Sequence, residues 1–353
     1  MNQAPSILGL GTAAADADVS REESLALSLD HAGDLDSPRV AALYREAGVS
    51  RRGCTLGLSG MRTELLEAGA SGATTRQRLG HFMAHAGALG ERAARNALKD
   101  SGRSAEAITH VVTVSCTGAE SPGIDHRLIE LLGISPDVSR THIGFMGCHA
   151  AINALAGASA FVRSDPDAVG LVACVDLCSL HFQVGTTPWD QQVANAIFAD
   201  GAACAVVGSG SGRCQLVRFA SRIFPGTEEL MRWDIGDHGF QMTLSPRVPG
   251  VIKRGISDWL GSWLPEHDLD TDRIAGWAVH PGGRDILEGV RRGLELPAEA
   301  LAASHRILEQ QGNMSSGTIL WVLSDLLETF DSGPIVGLSF GPGLTGEAVL
   351  LGK

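Results

Sequence analysis

A chain of 353 residues with 44% hydrophobic content can bury a large core and is long enough for two fused domains of ordinary size. Its formal net charge of −12 argues against nucleic acid as a bulk partner, and no apolar run approaches the roughly 20 residues that a membrane helix needs. Residues 1–6 lack the basic and apolar regions of a secretory signal, and seven cysteines, an odd number, argue against a disulfide framework; a reducing cytosol is the expected setting.

Residues 7–11 read as a first strand and 37–47 as a helix. The stretch 75–100 is a long helix that stops at Ser101-Gly102. Strands are expected at 108–115 (ITHVVTVS) and 168–175 (AVGLVACV), with short helices at 125–132 and 190–198. Asp200-Gly201 opens an apolar strand at 202–207. The Gly/Ser segment 208–212 is the best boundary, dividing the chain into halves 1–209 and 210–353. In the second half, strands are expected at 216–224 and 274–280, and helices at 250–264, 284–293, 298–310 and 315–330. Strands 334–340 and 347–351 close the chain around a Gly-Pro-Gly turn at 341–343. Apolar strands alternating with helices specify α/β layers, and the similar content of the halves suggests an internal duplication.

One cysteine stands apart. Cys148 follows Gly144 and Gly147 and precedes an Ala-rich, helix-favouring run that extends to about residue 160. This reads as strand, tight turn and a helix whose first turn carries the thiol, where backbone N–H groups and the helix dipole favour thiolate. Cys174, Cys204 and Cys214 sit in apolar or small-residue runs and read as small buried hydrophobes. Cys174 and Cys178 lack a second Cys/His pair at zinc spacing, so no metal is expected.

Two partners for Cys148 are suggested further along. His280 ends an apolar strand ahead of Pro281-Gly282-Gly283, at the sheet end where open α/β folds place their chemistry. Asn313 lies in a loop, Gly312 to Gly317, just ahead of a helix; alone it reads as a cap. Together, a Cys–His pair and an amide donor can form an acyl-enzyme and stabilise an oxyanion. Cysteine proteases use such a set, but their cysteine lies near the mature N-terminus in a different context. Acyl-transferring condensing enzymes are the other option.

The strings around Cys148, His280-Pro281-Gly282-Gly283, Gly312-Asn313-Met314-Ser315-Ser316 and Phe340-Gly341-Pro342-Gly343-Leu344-Thr345 together resemble the type III polyketide synthases. This is the chalcone and stilbene synthase family, and the resemblance runs from about residue 108 to the C-terminus. It implies a duplicated thiolase-like fold in five layers, αβαβα, and a homodimer. It also implies an acyltransferase that loads an acyl-CoA starter on Cys148 and extends it with malonyl-CoA by decarboxylative condensation. CoA thioesters are then substrates, with no further cofactor. His280 and Asn313 would bind the thioester carbonyl on which enolate charge builds. Phe198 and Phe340 would shape the passage between CoA tunnel and cavity.

The same resemblance assigns Cys116, Thr117, Cys178, His181, Gly239 and Met242 to the cavity. Cys116, Cys178 and His181 stand where chalcone synthase has threonines, so a chalcone-type product is not expected; pyrone, resorcinol or naphthol-type products are. For the CoA phosphates, Arg45, Arg51, Arg52 and Gly283 are the candidates, with Arg39 nearby. The competing reading is a thiolase-fold acyl-CoA-binding protein or hydrolase that acylates Cys148 but never extends.

Overall fold

The computed structural model describes residues 4–31, 36–69, 71–183 and 188–353. A nine-stranded mixed sheet runs through it. The first half of the sheet takes Pro5–Ala14, Asp200–Ser209, Gly170–Leu177, His110–Ser115 and Ser139–Gly144 in that spatial order. The second half takes Cys214–Ile223, Thr345–Gly352, Pro334–Gly341 and Gly276–Val279. Outward from the join, both halves repeat one pairing series: antiparallel, antiparallel, parallel. The duplication suggested by the sequence is therefore present in the topology. Pro5–Ala14 and Cys214–Ile223 meet through just two residue pairs, Ser6–Gln215 and Ile7–Cys214.

Side chains alternate across each strand, which lets one sheet serve two cores. Along Asp200–Ser209, Ala202, Cys204 and Val206 join the core under the long helix Thr75–Ser101, whereas Ala203, Ala205 and Val207 join a central core. Along Thr345–Gly352, Val349 and Leu351 face that same central core, while Ala348 and Leu350 join a third one, under Val248–Trp263 and Arg284–Gly293. The central core is filled by helices Ala150–Ser164 and Thr318–Thr329. Two cores lie under the outer helices and the third encloses the central helices, which makes five layers, αβαβα, as the thiolase-like resemblance implies.

The expected elements are present within a few residues, and the structure adds the helix Arg21–Asp30 and several local differences. The runs 298–310 and 315–330 each open with a tighter 3₁₀ turn, Ala298–Leu301 and Ser315–Gly317, before the α-helix proper. The segment 208–212 is packed: a Cβ on Gly212 would lie 2.3 Å from the Ile7 carbonyl, and the Arg213 N–H donates to that carbonyl at 2.7 Å. Finally, an antiparallel hairpin, Met231–Gly236 with Gly239–Leu244, leans over the site and was not anticipated.

Candidate active site

Strand Ser139–Gly144 delivers the chain to two left-handed residues, Phe145 (φ 57°) and Gly147 (φ 81°). A 3₁₀ turn, Gly147–His149, then carries Cys148, so the thiol precedes helix Ala150–Ser164 instead of lying in its first turn. A Cβ on Gly147 would meet Pro342 Cδ at 2.2 Å, which is why the turn needs glycine. The Gly147 N–H donates to Cys116 Sγ at 3.0 Å. Burial outweighs the helix terminus: the Cys148 thiol is pushed up to about 12, resisted by hydrogen bonds from Ser315, Asn313 and its own backbone N–H. Burial therefore favours the thiol form of Cys148.

Asn313 is held on three sides. Its N–H donates to the Ile197 carbonyl at 2.9 Å, and its carbonyl accepts from the Ala199 N–H at 2.8 Å. Its Oδ1 accepts from the Ser315 N–H at 2.9 Å, which leaves the amide NH₂ to be presented to the Cys148 sulfur. Ser315 takes the left-handed conformation (φ 51°), and its hydroxyl lies 3.8 Å from Cys148 Sγ. Strain in a non-glycine residue is common where a site must be held in one shape. His280 is completely buried, and neither ring nitrogen has a hydrogen-bond partner among the described residues. Burial, helped by nearby His149, pushes it down to about 3.

A buried carboxylate ties the loops together. Asp176 Oδ1 accepts from the Cys116 N–H (2.7 Å) and from the hydroxyls of Thr117 (2.9 Å) and Ser115 (3.3 Å). Its Oδ2 accepts from the Ser316 N–H (3.1 Å) and hydroxyl (2.6 Å), so one side chain clamps the Cys116 loop to the Asn313 loop. Sequence reasoning passed over Asp176; a lone acid inside the apolar run CVDLC was the signal available.

Cys148, Cys116, Thr117, Cys178, Phe198 and Met242 line one chamber, joined by Phe145, Met231, Trp233, Ser315 and Pro342. The Trp233 Nε1–H closes the hairpin over it by donating to the Cys116 carbonyl at 2.7 Å. A second chamber shares Cys178, Phe198 and Trp233 and adds His181 and Arg52. Each holds only about 20 Å³ of free space, roughly one water. His181 is neutral, its Nε2–H on the Thr117 carbonyl (2.8 Å) and its Nδ1 accepting from the Phe240 N–H (3.1 Å). Gly239 (φ 108°) shapes the hairpin and lines neither chamber; Phe340 belongs to the third core.

The candidate phosphate ligands divide. Gly283 lines an outer groove of about 420 Å³, with Arg39, Trp189, Arg284 and the start of helix Arg284–Gly293. Arg39 lies 3.8 Å over the Trp189 ring. Arg45 is exposed but outside the groove lining, and Arg51 pairs with Asp18 at 3.4 Å. Arg52 is buried, its guanidinium taken up by backbone carbonyls.

Comparison with known proteins identifies the family. The N-terminal domain of the chalcone and stilbene synthases matches residues 51–211, and their C-terminal domain matches 215–353. The alpha-pyrone synthesis polyketide synthase-like Pks18 of Mycobacterium tuberculosis is 33% identical over 289 residues, covering 79% of this chain and 73% of that protein. The 1,3,6,8-tetrahydroxynaphthalene synthase of Streptomyces peucetius is 34% identical over 75% of this chain and 72% of its own length. The crystal structure of PKS-I from the brown alga Ectocarpus siliculosus superposes with a TM-score of 0.93 at 29% identity, covering 100% of this chain and 99% of that one. The chain belongs to the chalcone and stilbene synthase family, and it is a type III polyketide synthase, a decarboxylating condensing acyltransferase acting on CoA thioesters.

Proposed function

We propose that Cys148 takes an acyl group from an acyl-CoA starter and that malonyl-CoA extends it, the chain then closing to a pyrone, resorcinol or naphthol-type product. The observation that carries this is the Asn313 amide, fixed through Oδ1 so that its NH₂ faces the Cys148 sulfur. Neutral His280 accepts the thiol proton as the starter carbonyl is attacked, and CoA leaves as the thiol. Malonyl-CoA then loses CO₂, and the electron pair passes to its thioester oxygen, where Asn313 and His280 donate hydrogen bonds. The enolate carbon attacks the acyl carbonyl and releases Cys148.

Arg39, Arg284 and the free N–H groups at the start of Arg284–Gly293 suit the CoA phosphates better than Arg52 does. Phe198, shared by both chambers, is the gate to the inner one. A second copy would pair with edge strand Ser139–Gly144, beside exposed Phe145 and Met146. The cytosolic setting is supported by seven free, buried cysteines; no described helix is long and apolar enough to cross a membrane.

Incubation with malonyl-CoA and a panel of acyl-CoAs, read by mass spectrometry, tests the reading. Carbon–carbon bonded products are expected and should vanish in Cys148→Ala. Free CoA without any such product would favour the non-condensing hydrolase instead.

A further inference from the structure

Helix Trp189–Ile197 ends without a glycine, immediately before the gate residue Phe198. Its last carbonyls must still be satisfied, because they are buried. The Ala194 carbonyl accepts from the Phe198 N–H at 3.0 Å, and the Ile197 carbonyl accepts from the Asn313 N–H at 2.9 Å. The remaining two fall to one side chain from a distant strand. Arg52 Nη1 donates to the Asn195 carbonyl at 2.6 Å and Nη2 to the Ala196 carbonyl at 2.5 Å; Nη1 also reaches the Phe198 carbonyl at 3.1 Å. Among the described residues no carboxylate pairs with this guanidinium, and the Tyr44 ring lies 6.0 Å from it. Its stem also lies beside the Asn313 loop: a Cβ added at Gly312 (φ 74°) would come within 3.3 Å of Arg52 Cβ.

A buried cation held only by carbonyls is an expensive way to end a helix. A glycine cap would satisfy the same groups. What a fixed fork adds is geometry: three carbonyls on both sides of the gate are locked to one plane. Phe198 and Asn313 are neighbours in a parallel bridge, so the same lock bears on the oxyanion donor.

We propose that Arg52 is a positioning residue that sets Phe198, and through the shared bridge Asn313, and that it is not a ligand of the CoA phosphates. The proposal rests on reading Phe198 as the gate between the thioester mouth and the inner chamber. In Arg52→Lys, one ammonium cannot span the three carbonyls, so the turn loosens while the charge stays.

The test combines hydrogen exchange, product analysis and kinetics on the full chain. In Arg52→Lys, amide exchange across 195–200 and 312–316 should be at least about tenfold faster, with the rest of the protein unchanged. The ratio of shorter to longer polyketide products should change about threefold or more, while KM for malonyl-CoA and for malonyl-pantetheine stays as in the wild type. Arg52→Gln, which keeps two N–H donors, serves if the lysine variant does not fold. Unchanged exchange in these two segments would overturn the proposal. So would unchanged product ratios alongside a lowered melting temperature, the mark of a merely structural residue. A rise in KM confined to the CoA thioester would make Arg52 a phosphate ligand after all. A wild-type protein that forms no carbon–carbon bond would defeat the functional reading, and the exchange result would still decide the role of Arg52.

Discussion

Gly147→Ala perturbs Cys148, the proposed nucleophile, without touching it. At φ 81° an alanine costs about 1–2 kcal/mol relative to glycine. Its Cβ would lie 2.2 Å from Pro342 Cδ, and a proline ring has no rotamer by which to move aside. Overpacking of this kind adds about 1–3 kcal/mol, for a total of roughly 2–5 kcal/mol. With about 2.1 cal/mol/K of unfolding entropy per residue, a 3 kcal/mol loss over 353 residues lowers Tm by roughly 4 °C. Activity should suffer far more, because displacing a nucleophile by about 1 Å costs on the order of 100-fold. Differential scanning fluorimetry, paired with condensation rates at saturating malonyl-CoA, checks both halves. Gly80→Ala is the control: that glycine is exposed on the long helix with nothing near its missing Cβ, so alanine should stabilise by up to about 1 kcal/mol. A Gly147→Ala protein with wild-type Tm and rate would refute the reasoning.

Asn313→Ala should lower malonyl-CoA decarboxylation by about 10²–10³-fold while a stoichiometric acyl-Cys148 still forms; CO₂ release and intact-protein mass report the two steps. In Asp176→Asn, a donor replaces one acceptor, so either the Cys116 or the Ser316 N–H faces an NH₂ and goes unpaired. A loss of about 1–3 kcal/mol in urea unfolding is expected. Burial pushes His280 and His181 down from an ordinary 6.5 to about 3 in the folded protein, because it disfavours the cation. Below pH 6.5 the unfolded chain therefore binds protons that the folded one refuses, so their contribution is intact above 6.5 and declines as pH falls towards 3. Urea midpoints that stay level from pH 7 to 4 would contradict this.

Cys148, His280 and Asn313 could be singled out as candidates because each sits at a glycine-marked turn at the end of an apolar strand or the start of a helix. Geometry beyond the turn was not. The sequence shows that Arg52 is charged but not that it is buried against carbonyls from residues more than 140 positions away. Likewise the hairpin MRWDIG…GFQMTL carries Arg232 and Asp234 on its outer face, which hides Met231, Trp233 and Met242 from a reading by apolar runs. A sequence likewise reports the helix dipole beside Cys148 but not the desolvation that opposes it.

Because the first strand, Pro5–Ala14, lies in the middle of the nine-stranded sheet, its two neighbours are Asp200–Ser209 and Cys214–Ile223. On a ribosome adding about 5–20 residues per second, this strand waits on the order of 10 seconds or more for either neighbour to be made. Throughout that interval it is an apolar edge with nothing beside it, and when Asp200–Ser209 arrives the first half closes before the second half exists. The tight turn at 210–213 then places Cys214–Ile223 against the opposite edge of the same strand, so the completed first half serves as the template on which the second is laid down.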